Sequence, residues 1–363
     1  MIEQEVVHVR AQSVLWMLGE QLGTEGRPVV TRIEPLKLLN RRLSFIMYCR
    51  IITDDGRDRL AWAKILNPSV NPEIKQRRVA RDFDLNNHLY GAIDTTGQFR
   101  VPEPVYHSPE HRLVVTGHIA GTVLQTKIES HALGFTSARD IRGLEYDCRL
   151  AGGWLRSFQA LTEGYCPGQE SGIELMKVKG AGRIVEQTID RLRQLVDEDP
   201  RLLEPALVSE ITYFLNTNLA DHRSGEEAVC SIHGDFFAGN LMVDGETIAG
   251  LDFESTTWGS PLFDPGYFVF QLETLQEKLR YKNSIVSHLV DAFLNGYGID
   301  TDHKQFWDYR PELRIIFLSL AISRLLSLSA NRRWTSARGI YRHMIARNLI
   351  KRLKSHIRFH QGP

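Results

Sequence analysis

The chain has 363 residues, of which 42% are hydrophobic, and its 44 basic side chains are balanced by 44 acidic ones. It is long enough to bury a large core without disulfides or a structural metal, and its zero net charge removes the global electrostatic case for nucleic-acid binding. The four cysteines, Cys49, Cys148, Cys166 and Cys230, form no C-x-x-C pair, which excludes a zinc ribbon or disulfide framework and predicts a reducing, cytoplasmic setting.

The first residues, Met1 to Glu5, are acidic where a secretory signal is basic, so export is not expected. Residues 1–30 are predicted to hold an amphipathic helix near Ser13 to Leu22, a helical appendage packed on the rest of the chain. From residue 31 to 121 the pattern is β-rich. Leu43 to Ile52 and Arg59 to Leu66 read as strands joined by the turn Thr53-Asp54-Asp55-Gly56. Asn71 is expected to cap a helix that starts at Pro72, carries Val79, Phe83 and Tyr90 at helical spacing and stops at Gly91. Two more strands are expected near Glu103 to His107 and Arg112 to Ile119. Beyond Gly121 the composition turns helical, with helices expected near 140–163, 175–198, 202–220, 273–295, 311–330 and 336–358. One non-helical segment, Val229 to Pro265, interrupts them. The most apolar stretch, Ile315 to Leu328, contains Arg324 and is too short for a membrane span. The order predicts an α+β fold with a small β-rich lobe (31–121), a large helical lobe (122–363) and a cleft between them.

Chemistry concentrates in Ser231-Ile232-His233-Gly234-Asp235-Phe236-Phe237-Ala238-Gly239-Asn240, followed by Leu241-Met242-Val243 and Leu251-Asp252-Phe253-Glu254. Asp235 and Asn240 stand in the spacing H-x-D-x-x-x-x-N, which in kinases puts a carboxylate on the acceptor hydroxyl and an amide oxygen on magnesium. A hairpin turning at Asp244-Gly245 would return Asp252 to the end that holds Asn240, so that both could ligate one ion. These residue types suit phosphoryl transfer, in which the protein positions the acceptor and holds Mg²⁺ on the phosphates through hard oxygen ligands.

This segment resembles the signature of the aminoglycoside phosphotransferase and choline kinase superfamily, which shares the two-lobed protein-kinase-like fold. The resemblance is tight over residues 231–266 and rests on element order over about 32–270. It implies Asp235 as catalytic base, His233 as a scaffold for its loop, Asn240 and Asp252 as metal ligands, and ATP and Mg²⁺ as cofactors. Asp264 is expected to brace the loop. In the small lobe it implies Lys64 as the phosphate lysine, with Asp82 as its acidic partner and Asp84 and Glu73 as alternatives. It also implies that Val114 to Ile119, with Thr116 and His118, is the linker that hydrogen-bonds adenine. The loop expected to cover the phosphates, Leu38 to Phe45, has no glycine, which leaves Ser44, or Arg41 and Arg42, to contact phosphate. That departure keeps open a second reading, a pseudokinase that binds a nucleotide or partner for regulation.

His107-Ser108-Pro109-Glu110-His111 fits the H-x-x-E-H zinc pattern, but Pro109 forbids the helix that pattern requires. From Arg332 to the end nine Arg or Lys residues occur without an acid, while Ile345, Leu349, Leu353 and Ile357 recur at helical spacing. A basic amphipathic helix over 336–358 is expected, its apolar stripe docked on the large lobe and its cationic face open to solvent, an anionic acceptor or an anionic surface. The function expected is transfer of the γ-phosphoryl group of ATP to a hydroxyl of a small molecule. Sugars, polyols and other metabolites are favoured over amino alcohols or aminoglycoside-like acceptors, because the chain lacks an acidic excess.

Overall fold

The computed structural model describes residues 30–41, 43–67, 72–93, 97–132, 136–165, 180–222, 230–278, 281–329 and 337–359. In chain order they form β1 (Val30–Asn40), β2 (Ser44–Thr53), β3 (Asp58–Leu66), α1 (Pro72–Leu89), β4 (Phe99–Arg100), β5 (Pro104–Ser108), β6 (Leu113–Gly117) and β7 (Thr122–Val123). Then come α2 (Leu124–His131), α3 (Ala138–Leu161), α4 (Ala181–Glu198), α5 (Pro205–His222), β8 (Cys230–Ile232), β9 (Leu241–Asp244), β10 (Thr247–Gly250) and β11 (Thr257–Gly259). The chain ends with α6 (Phe263–Glu273), α7 (Asn283–Tyr297), α8 (Pro311–Ser329) and α9 (Ala337–Phe359). The fold is α+β, with a β-rich N-terminal region and a helical C-terminal region. The expected helix at Ser13 to Leu22, the cap Asn71 and the start of the helix expected at 175 lie outside the described residues.

Two compact units are present, and the first gathers the described residues up to Thr122 together with Asn240–Thr256. Its main sheet is antiparallel, in the order β1-β2-β3-β6-β5. Side chains alternate across the sheet, so one face carries Phe45, Met47, Cys49, Ile51, Ala61 and Ala63, all fully buried. The opposite face carries Lys64, paired with Ile46 on β2 and Val114 on β6. Helix α1 packs on that face through Val79 and Phe83 against Leu66 and Val114. The β2–β3 turn falls as expected, with the Gly56 N–H donating to the Thr53 carbonyl (3.0 Å) at φ 77°.

The segment Asn240–Thr256 joins this unit through β10, which pairs in parallel with β4 (Ile248 with Phe99) and antiparallel with β9 (Thr247 with Asp244). The connecting residues are therefore Gly245 and Glu246 rather than Asp244 and Gly245, with Gly245 supplying the positive φ of 58°.

The second unit is helical, and β8 pairs antiparallel with β11 inside it (Thr257 with Ile232). Helices α3 and α7 meet closely, as do α8 and the pair α4 and α5. The basic helix α9 docks its stripe as expected: Ile345, Leu349, Leu353 and Ile357 are buried, while Arg347, Lys351 and Arg358 are exposed. Arg352 turns inward to pair with Glu273.

Several boundaries differ from expectation. The stretch 38–45 is mostly not a loop: Leu38, Leu39 and Asn40 pair with Met47, Ile46 and Phe45, leaving a tight connection around Arg41 and Leu43. The helix expected over 273–295 starts later, as α7 (Asn283–Tyr297), and α6 (Phe263–Glu273) and α2 are additional helices. Tyr90 lies beyond the end of α1 and is exposed.

Candidate active site

Within the first unit the Lys64 ammonium is reached by two carboxylates. Its Nζ lies 2.7 Å from Asp252 Oδ1 and 3.5 Å from Glu254 Oε2. Burial alone would push Lys64 toward its neutral form, but the charges of Asp252, Glu254 and Asp82 outweigh it and hold the ammonium above the ordinary lysine range. The backbone of Asp252 is left-handed (φ 68°), an uncommon state for a non-glycine residue; it sits at the junction between β10 and the single turn Phe253–Ser255. That reversal puts Asp252 and Glu254, two residues apart, on the same lysine.

Asp82, expected as the partner of Lys64, acts on it through its charge, while the ion pairs are made by Asp252 and Glu254. Asp82 is 8% exposed, and its Oδ1 accepts the Phe253 N–H (2.9 Å). Its side chain thus holds the backbone beside Asp252. Burial, with Asp252 and Glu254 adding to it against Lys64 and the Phe253 N–H, keeps the Asp82 carboxyl above the ordinary carboxylate range. Next to it, Arg81 Nη1 donates to the Thr256 carbonyl (2.8 Å). Asp84 and Glu73 make no ion pair with Lys64.

Asn240 is brought beside Asp252 by the β9–β10 hairpin, since the Leu251 N–H donates to the Asn240 carbonyl (2.9 Å). Among the described residues no group of three or more His, Cys, Asp or Glu is arranged as a metal cage. A magnesium site needs less, because this ion keeps waters and takes one or two carboxylates alongside phosphate oxygens. The donors present fit it: all are hard oxygens, and Glu254 Oε2 is buried without a hydrogen bond.

The segment expected as the adenine linker, Val114 to Ile119, is strand as far as Gly117. Val114 to Gly117 is strand β6, with Thr116 opposite Trp62 and Pro104. The His118 N–H donates to the Leu60 carbonyl (2.9 Å) and so is spent within the sheet. The His118 ring instead accepts from Trp62 Nε1 at Nδ1 (3.2 Å), and Trp62 stacks on Tyr48 at 4.6 Å. Trp62 lies two residues before Lys64, on the same face of the sheet. Ser44 is buried, paired with Leu66, and its carbonyl accepts the Arg41 N–H (2.8 Å). Arg42 is outside the described residues. His107 stacks on Phe83 and His111 pairs with Ser108, as a turn rather than a zinc helix requires.

In the second unit the loop after β8 is tied to α6. Asp264, fully buried in the first turn of that helix, accepts the His233 N–H at Oδ2 (2.6 Å) and the Gly234 N–H at Oδ1 (2.9 Å). Gly234 has φ 80°, a turn that a side chain resists. The His233 ring is fully buried among Trp154, Phe158 and Phe236, which makes it part of the scaffold. Asp235 is the next residue, and its Oδ1 accepts the Tyr267 hydroxyl proton (2.9 Å). Burial and the neighbouring Asp235 charge both raise the Tyr267 phenol, so it stays a donor.

Sequence reasoning missed Glu254 and Tyr267. Glu254 had a signal in its Asp-x-Glu spacing from Asp252. Tyr267 stands three residues after Asp264, a helical spacing that puts both side chains over the loop they hold.

Comparison with known proteins agrees with this arrangement. Residues 70–310 match the APH phosphotransferase enzyme family. A comparison with curated protein sequences returns no match. Among solved structures, a choline/ethanolamine kinase family protein from Mesorhizobium loti aligns with a TM-score of 0.53 and 15% identity, over 97% of this chain and 98% of that one. The GDP complex of wild-type aminoglycoside 2'-phosphotransferase-IIIa gives 0.53 and 13%, over 95% and 98%. The amicoumacin kinase hAmiN, solved with AMP-PNP and Ca²⁺, gives 0.52 and 12%, over 94% and 96%. At such identities the structures speak to the fold, whereas the family match extends over the lysine-bearing unit's helix and the whole Asp235 loop, so the chain belongs to the phosphotransferase enzyme family and is a phosphotransferase.

Proposed function

We propose that this phosphotransferase moves the γ-phosphoryl group of ATP to a hydroxyl of a small molecule, in a reaction that requires Mg²⁺. The observation that carries the reading is the Lys64–Asp252–Glu254 cluster, a cation and two carboxylates collected on one sheet face with Asn240 beside them. Lys64 would steady the phosphate oxygens. Asn240 and Asp252, with Glu254 behind them, would hold Mg²⁺. The ion would neutralise charge on the phosphates. Trp62 and Tyr48, on the face of Lys64, offer a stacking surface to the base.

Asp235 would orient the acceptor hydroxyl and receive its proton. Tyr267 donates to Oδ1 and so fixes how the carboxylate is turned. We assign nucleotide binding to segment 31–121 and acceptor binding to the helical segment 122–363, with 240–256 serving the nucleotide. The pseudokinase reading is set aside, because Lys64, Asp235, Asn240 and Asp252 are all retained.

The test is transfer of labelled phosphate from ATP into a fractionated metabolite extract, with Mg²⁺ and again after chelation. Label in a discrete fraction, lost on chelation and lost with Lys64→Met, is the expected result. Transfer that survives chelation, or none from folded protein, would remove this assignment.

A further inference from the structure

The first unit holds a concavity apart from the lysine cluster. A cavity of about 890 Å³ lies where the start of β3, the residues after α1, β4 and the end of β6 come together, and its described lining residues all belong to this unit. That volume suits a ligand of metabolite size. Part of its wall is apolar: Ile93 and Val101 are buried, and Phe99 lies next to Val101. Tyr90 also lines it and is 51% exposed, an aromatic ring with one side left to solvent.

Three guanidinium groups line the same cavity, those of Arg50, Arg59 and Arg100, against the two carboxylates of Asp58 and Glu103. Arg59 reaches Glu103 at 3.1 Å, whereas Arg50 is shared more loosely between Asp58 (3.5 Å) and Glu34 (4.0 Å). The side chains of Arg50, Arg59, Asp58 and Glu103 are 41% to 60% exposed. Ion pairs this wet contribute little, so their guanidinium groups turn to a ligand's oxygens at small cost. His118 is a further lining residue; its Nδ1 accepts from Trp62 Nε1 (3.2 Å), so the neutral ring carries its hydrogen on Nε2 and adds a donor.

The nucleotide assigned to the Lys64 face does not account for this chemistry. Lys64, Asp252 and Glu254 are not among the described lining residues, and the four strand residues from Leu60 to Lys64 span about 13 Å. A nucleotide with its phosphates on Lys64 would bring only an uncharged base toward this end of β3. Guanidinium forks beside apolar and aromatic side chains suit a charged group on an apolar body.

We propose that this cavity is a separate binding site for an organic anion, a carboxylate, sulfonate or phosphate on an aromatic or hydrocarbon body, with Arg59 and Arg100 receiving the charged group and Tyr90 and Phe99 the body.

The experiment titrates the full chain with anilinonaphthalene sulfonate, an aromatic anion that fluoresces on leaving water, with and without saturating Mg²⁺ and AMP-PNP. Phenylnaphthylamine, the same rings without the sulfonate, is the neutral comparison. The sulfonate should bind with AMP-PNP in place, on the order of tenfold tighter than the neutral amine, and should lose roughly tenfold in affinity in both Arg100→Glu and Tyr90→Ala. Displacement by AMP-PNP would make the cavity part of the nucleotide site and overturn the proposal. Neutral binding as tight as that of the sulfonate overturns it too, as does affinity unchanged in both variants, which would place the probe elsewhere. The titration without AMP-PNP reads the cavity whether or not the chain transfers phosphate, so its outcome is independent of the phosphotransfer reading. Arg100 and Tyr90 are exposed, which favours folding of both variants; if Arg100→Glu does not fold, Tyr90→Ala and the comparison of the two probes decide.

Discussion

Asp264 accepts two successive backbone N–H groups with one carboxylate, and His233 is fully buried, so its N–H has no water to turn to once that side chain is removed. Asp264→Ala should therefore cost about 3 kcal/mol, the order expected when buried donors lose a charged acceptor. Thermal melts check this, and a cost near zero would show that the loop is braced elsewhere. Tyr267 acts on the same loop differently, by positioning one oxygen of Asp235. Tyr267→Phe keeps the ring and its stacking, so kcat should fall roughly tenfold while the acceptor KM moves little, as expected for loss of alignment rather than of binding. An equal change in both parameters would make Tyr267 a binding group instead. At this scale the sequence is informative where residues stand in a fixed spacing, as Asp235, Asn240 and Asp252 do. It is poor where side-chain reach decides a partner: Asp82 can be placed near Lys64, but only the structure shows its carboxylate spent on the Phe253 N–H.

Among the elements, α3 and α7 approach so closely that glycines are needed on both. A Cβ on Gly152 would strike the Phe293 carbonyl, and one on Gly296 would strike the Arg149 carbonyl. Gly152→Ala should destabilise by about 2 kcal/mol, because backbone rather than a pliant side chain must move. A chemical denaturation midpoint that does not shift would contradict this packing. The segment after α6 carries a pH-dependent term. Glu277 is raised by burial from 4.5 to about 7, so the native state keeps a proton that the unfolded chain has released. Stability is accordingly lost as pH rises from about 4.5 through about 7. Glu277→Gln should then gain thermal stability relative to the wild type at pH 8 and show no such gain at pH 4.5; the same difference at both values would sink the idea. Helix α6 escapes a reading of the sequence for a physical reason. Phe263, Phe268, Val269, Phe270 and Leu272 are all buried, so no 3.6-residue alternation of polar and apolar residues marks it. Asp264-Pro265-Gly266 reads as a turn, yet a proline is tolerated in the first turn of a helix, which is where it stands. Strand β6 is legible in the sequence: Arg112 to Ile119 reads as a strand, and Leu113–Gly117 forms one between β3 and β5.

For the whole molecule, the class is legible from element order alone: strands and one helix, then helices with a short β insertion. What sequence order does not show is that Asn240–Thr256, late in the chain, belongs with the first unit through the β10–β4 pairing and the Lys64–Asp252 contact. A long-range parallel pair of two residues leaves no periodic trace. Among the described residues no helix is long and apolar enough to cross a membrane, including α8, whose Arg314 and Arg324 interrupt it. The same discontinuity places Asn240 and Asp252 in the unit of Lys64, and Asp235 in the unit of Tyr267 and Asp264. On the proposed assignment, holding the phosphates and activating the acceptor fall to separate sets of side chains, and they should be separable by mutation. The most direct measurement pairs nucleotide affinity with phosphoryl transfer in the wild type and in Asp235→Asn, using ATP and Mg²⁺ with the acceptor fraction that the wild type labels. Transfer should fall by about 10³-fold, the contribution of a positioned general base, while ATP affinity stays within roughly threefold. Loss of affinity in step with transfer, or transfer that persists, would contradict the assignment of Asp235 as the catalytic base.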